Sequence, residues 1–217
     1  MTLDREEYVE QAYFYRTLRE RMQQSMSTQE LLTAIRQEIL STTSLPMALE
    51  FMAAELRHTG GFATAMAHLD HYFTPYQTYV IGEAEREEGR FDFQIALEIL
   101  EREAKYRAEG ASLQGIFLFQ FESICRNRLG YDQGLEAIAG DPAYDEAWRE
   151  WILTVRRQVG IIDFADMIYV RSEHYRPRRR DLLVTDKTLI QPLFGDKEGR
   201  IALASRQKDP LLLFASM

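Results

Sequence analysis

Apolar residues recur along most of the chain at three- and four-residue intervals, the spacing of a helix with one buried face. Over 4–24, Tyr8, Ala12, Tyr15, Leu18 and Met22 form such a stripe, and Asp4-Arg5-Glu6-Glu7 places acid at the dipole-favoured start. Ser27-Thr28-Gln29-Glu30 is a capping-box pattern ahead of Leu31, Leu32, Ile35 and Ile39, and predicts a second helix. A third is expected from Ser44-Leu45-Pro46 through Met47, Phe51, Ala54 and Leu56 to His58, closed by Thr59-Gly60-Gly61. Composition extends helix over 62–73, to a stop at Pro75.

Two helical stretches meeting at Gly89 predict a hairpin over 76–109, with Phe93, Ala96, Leu97, Leu100 and Ala104 on one face. Ser112 then opens a segment to Cys125 that is apolar almost all round, the mark of an enclosed central helix. Trp148, Trp151, Ile152 and Val155 line a helix over 144–159, and Asp163 caps one more through 173. No second copy of the helical hairpin occurs at a fixed period.

The pattern changes at Arg176-Pro177-Arg178-Arg179-Arg180. Beyond it Leu182-Leu183-Val184, Thr188-Leu189-Ile190 and Arg200-Ile201-Ala202-Leu203 read as extended, and Gly195-Asp196-Lys197-Glu198-Gly199 suits a hairpin turn between the last two. Leu211 to Phe214 is too apolar to stay in water and is expected to dock on the helical body or on a partner. The expected fold is therefore mainly α, a multi-helix bundle or irregular stack of helical hairpins over 1–175. A basic hinge at 176–181 and a small β-rich segment over 182–217, with one β-hairpin packed on the helical body, complete it.

With 217 residues, 46% of them hydrophobic, the chain has enough apolar material for one good core. The net charge of −8 is uneven, because from Arg171 onward ten Lys and Arg stand against six Asp and Glu, leaving the preceding residues at −12. An acidic body repels phosphates and is a poor nucleic-acid platform. No secretory leader and no apolar run of membrane-spanning length is read from the sequence, and no membrane contact is expected. One cysteine, Cys125, and no Asn-x-Ser/Thr acceptor together point to a reducing, cytoplasmic setting.

The candidate chemistry centres on His58, His68 and His71, which flank the Gly60-Gly61 turn. Glu55 and His58 form a Glu-x-x-His pair, and His68 and His71 share a face at i, i+3, so that two helices folded back on each other would present them to zinc or iron. A metal-bound water on such a set is a hydrolytic nucleophile. The same residues equally suit a helix C-terminus and a solvated face, and no cofactor is expected. A di-iron carboxylate bundle requires a Glu-x-x-His on each of two helices, and Glu122 has no histidine three residues on. Asp163 and Asp166 read as an N-cap and first-turn acid, and Cys125 as a small core hydrophobe. Phosphate-binding glycine loops, His-Glu-x-x-His, Gly-x-Ser-x-Gly and Cys-x-x-Cys are all missing from the sequence.

Three functions fit. The leading expectation is a non-catalytic helical interaction module, a scaffold or adaptor whose partner is another protein or a second copy of itself. The alternatives are a small metal-dependent enzyme built on Glu55, His58, His68 and His71, and a regulator touching nucleic acid or an acidic partner through Arg178, Arg179 and Arg180, for which an exposed hinge lying on the acidic body is the plainer account.

Overall fold

The computed structural model describes residues 2–22, 26–86, 91–175 and 191–217. Among these residues are α1 (Arg5–Arg21), α2 (Thr28–Glu38), α3 (Leu45–Thr59), α4 (Phe62–Ala67), α5 (Pro75–Glu85) and α6 (Phe93–Ala108). They are followed by α7 (Leu113–Asn127), α8 (Tyr131–Ala139), α9 (Glu146–Gln158), α10 (Phe164–Tyr169), α11 (Asp196–Ser205) and α12 (Pro210–Ser216). A 3-10 turn, Glu173–Tyr175, follows α10. None of these helices is long and apolar enough to cross a membrane.

Local side-chain chemistry sets most helix starts. Ser27 and Glu30 close a reciprocal capping box, and Asp92, Ser112, Asp145 and Asp163 each accept a backbone N–H of the turn they open. Gly60, at φ 74°, ends α3 in the left-handed region where a Cβ would be strained. The expected helix over 62–73 is shorter, stopping at Ala67, and Pro75 opens the next helix instead of terminating this one. Thr74 and Gln77 form a second capping box around it, and a proline in the first turn forfeits no hydrogen bond. Helix α4 is capped from a distance, because the Glu85 carboxylate accepts from the backbone N–H of Phe62 and of Ala63 (2.8 Å for the latter).

The tightest long-range pairing is α1 against α6. Arg5 donates to the carbonyl of Ala108 while Arg19 meets Glu98 and Glu101, so the two helices run antiparallel. Helices α2 and α3, α4 and α5, and α8 and α9 pair as sequence neighbours, and α5 also packs on α6 and α8. Helix α8 was not anticipated from the sequence, where Leu135 and Ile138 are a short apolar signal beside Gly134. Gly134 lets the rings of Tyr79 and the end of Ile124 come close, which is how α8 seats on α5 and α7.

One core joins these layers. Phe117 and Phe121 of α7 lie among Trp148 and Trp151 of α9, Phe164 of α10 and Phe194, as expected of an enclosed helix. The mainly α architecture stands.

The expected C-terminal β-hairpin requires correction. Its first arm, with 182–184 and the 176–181 hinge, lies outside the described residues, but its turn and second arm belong to α11, and no strand occurs among the described residues. Among the described residues an isolated bridge, Ser172 to Phe194, is what joins this region to the preceding chain in β fashion. The run 195–203 is helical because extended Gly195 serves as N-cap, Asp196 and Glu198 sit in the first turn, and Gly199, Ala202 and Ser205 then fall on one buried face. Gly199 is required there, since a Cβ would fall within 2.7 Å of the Cβ atoms of Ser172 and His174. The apolar run at the C-terminus is helical too, and docks with Leu213 buried and Phe214 against Phe121 and Phe164.

Candidate functional site

Of the predicted histidine set, the structure brings together one pair. His68 Nδ1 lies 3.4 Å from Glu55 Oε1, across the α3–α4 junction. His58 is exposed at the end of α3, and His71, 72% exposed, approaches only its neighbour Asp70 at 3.9 Å. Among the described residues no three His, Cys, Asp or Glu side chains form a group that could hold a metal. Arg178, Arg179 and Arg180 lie outside the described residues. Glu122 is paired with Arg126, and Asp163 caps α10 while also accepting the N–H of Gln207.

The densest polar chemistry is instead buried between α1, α5, α6 and α7. Arg107, with its carboxylate partners fully enclosed, donates to Glu103 (2.9 Å) and to Asp141. Gln120 donates to Glu103 at 2.7 Å and accepts from the Tyr144 hydroxyl at 3.0 Å. Gln77 donates to Gln11 (3.1 Å) and to Glu103 (3.3 Å). Burial opposes the Arg107 charge, but Glu103 and Asp141 outweigh it and hold the guanidinium well above its usual range. Burial, with Glu103 nearby, likewise drives the Tyr15 phenol far upward.

Two carboxylates against one guanidinium leave the cluster formally at −1, sealed from water. Closed on all sides, it offers a substrate no approach, and its role is to orient four helices. Sequence reasoning missed it, although a signal existed. Glu103 and Arg107 fall in phase with Ala96, Leu100 and Ala104, and Gln11 with Tyr8, Tyr15 and Leu18, so polar groups stand at core positions.

An open feature lies on the other side of α6. A groove of about 400 Å³ runs between α6, α7 and α12, lined by Tyr106, Leu118, Phe119, Phe214 and Met217. Gly115 makes it deep, because only a residue without Cβ lets the Tyr106 hydroxyl lie against α7. Arg102, Lys105, Glu109 and Glu122 form a rim of mixed sign. Arg102 and Lys105 hold Glu98 and Glu101, each at 2.5 Å, and Arg126 holds Glu122, so three of the charges near the groove are already matched.

Cys125 lies further along α7, half-buried. Burial pushes its thiol up to about 11, in spite of a hydrogen bond with Tyr131 that works the other way. A raised thiol pKa means less thiolate at any pH below it. At pH 8 the thiolate is about a hundredfold scarcer than in a group left at 9.0. Iodoacetamide at pH 8 is accordingly expected to alkylate the native protein at least about fiftyfold more slowly than the urea-unfolded chain. Equal rates would mean that the thiol is neither sheltered nor shifted.

Comparison of the chain with protein-family models, with curated proteins and with solved structures finds no match.

Proposed function

We propose that the protein is a non-catalytic helical interaction module, working in a reducing, cytoplasmic setting, and that the groove between α6, α7 and α12 receives an apolar segment of a partner protein. The observation that carries this reading is the lining of the groove. Two aromatic rings, Tyr106 and Phe119, stand partly exposed beside Leu118, Phe214 and Met217, with charges of both signs confined to the rim. Protein-binding patches combine an aromatic and methionine-rich centre with a polar margin in the same way. Two helices and the end of a third make walls suited to an amphipathic helix, whose anchors recur at i, i+3 or i+4 and i+7. Methionine adds a side chain that re-packs around partners of differing shape.

Selection of helical peptides from a displayed library against the immobilised full chain tests this. Binders with apolar anchors at helical spacing are expected, and Phe119→Asp, at a half-buried position, should weaken them at least about tenfold while leaving the melting temperature within a few degrees. Binders indifferent to Phe119→Asp, or no binders at all, would overturn the assignment of this groove.

A further inference from the structure

We propose that the solvent face of α3 is a self-association surface, on which two copies of this chain pair α3 antiparallel to α3 about a twofold axis. This goes beyond the groove on α6 and α7 and stands on a different observation. Helix α3 buries Leu45, Ala48, Leu49, Met52, Ala53 and Leu56 against its own fold. Its opposite face presents Met47, Phe51, Ala54 and His58, all exposed, the first two at 75% and 40%. Their spacing is four, three, four, that of the seam between two coiled helices, here turned to water. A solvated helix face ordinarily carries polar residues there. Leu40, 60% exposed, belongs to the loop whose residues Ile39 and Ser41 share a hollow with Met47, and widens the apolar strip.

The flanking charges select the occupant. Glu50 and Arg57 are seven residues apart and so lie along the same side of the seam. Arg57 is exposed and has no ion-pair partner among the described residues, while Glu50, 70% exposed, holds only Arg36. In an antiparallel pair, equivalent flanks face each other, so Glu50 of each copy meets Arg57 of the other, twice by symmetry. A parallel pair would instead set this flank against the opposite one, where Ala48 is buried and Glu55 engages His68. Only an isologous antiparallel contact makes the face complementary to itself. The seam spans Met47 to His58, about 16 Å of helix, so the dimer is a weak one.

Sedimentation equilibrium of the full chain decides the matter. A reversible monomer–dimer equilibrium is expected, with the dissociation constant raised at least about tenfold by Phe51→Glu, and also by Met47→Glu, whose side chain makes so few internal contacts that folding is spared. Glu50→Arg and Arg57→Glu should each weaken the dimer, whereas the double variant Glu50→Arg/Arg57→Glu should regain most of the wild-type affinity. An equimolar mixture of the two single variants should form a heterodimer. A chain that stays monomeric to about 1 mM, a dimer indifferent to Phe51→Glu and Met47→Glu, or a double variant no better than the singles would each overturn the proposal.

Discussion

Replacing Arg107 by methionine is expected to cost about 3–5 kcal/mol of folding stability, the penalty for leaving buried carboxylates without their cation. The methionine fills most of the volume, so packing changes little. What is lost is the one positive charge between Glu103 and Asp141, together with hydrogen bonds to both. A comparison separates charge from packing. Glu103→Gln keeps the shape, keeps Arg107 paired with Asp141, and brings the cluster from −1 to neutral, so it should cost only about 1 kcal/mol. Urea denaturation followed by far-ultraviolet circular dichroism measures both. If the two variants lose the same amount, the charge balance of the cluster is irrelevant and its value lies in packing alone. The Tyr15 hydroxyl, buried with no hydrogen-bond partner among the described residues, borders the same cluster, so the polar groups there are not all satisfied. Through Gln77, which donates to Gln11 of α1 and to Glu103 of α6, the cluster ties the register of α1 to that of α6.

Phe117→Ala carries the other large effect, again about 3–5 kcal/mol, through the loss of a fully buried ring at the point where α7, α9 and α10 meet. The ring of Phe117 lies 4.9 Å from that of Trp151, 5.8 Å from Phe121, 6.0 Å from Trp148 and 6.3 Å from Phe164. Its neighbours belong to three different helices, so the cavity cannot collapse by a single rotamer change. Trp148 and Trp151 are the two tryptophans of the chain, which makes their fluorescence a direct report on the cavity. A red shift in native emission should accompany the lower urea midpoint. Phe119→Ala, two residues on and only half-buried, provides the contrast, with a loss well below that of Phe117→Ala. A comparable loss at both positions would show that the two faces of α7 do not differ as described.

Much of the helical framework was legible from local chemistry. Ser27-x-x-Glu30, Ser112 and Asp163 mark helix starts through hydrogen bonds made within four residues, and Gly60 marks an end because a positive φ penalises any Cβ. Such signals depend on nearest neighbours, and the structure uses each where the sequence places it. Pro75 was misplaced as a stop because its meaning depends on Thr74 and Gln77 around it. The apparent turn at 195–199 was ambiguous for a similar reason. Glycine-bounded acidic residues fit a hairpin and a helix N-terminus equally well, and burial of Gly199 against Ser172 and His174 decides for the helix.

The candidate sites were less legible, because they arise from contacts between distant segments. Periodicity pointed to a mainly helical chain and composition to one substantial core, and the heptad-like strip on α3 is present in the order of its residues. That this strip faces water while the alternate face is buried depends on where α2 and α4 sit. The Glu103–Arg107–Asp141 cluster joins positions 34 and 38 residues apart in sequence to Gln11 and Gln77 on two further helices. Its existence is a property of helix packing. Likewise, the groove beside Phe119 exists only because α12 returns to α7, where Phe214 meets Phe121. Capping and periodicity act over a few residues and are written in the order of the chain, whereas burial, charge pairing and open surface belong to the assembled fold.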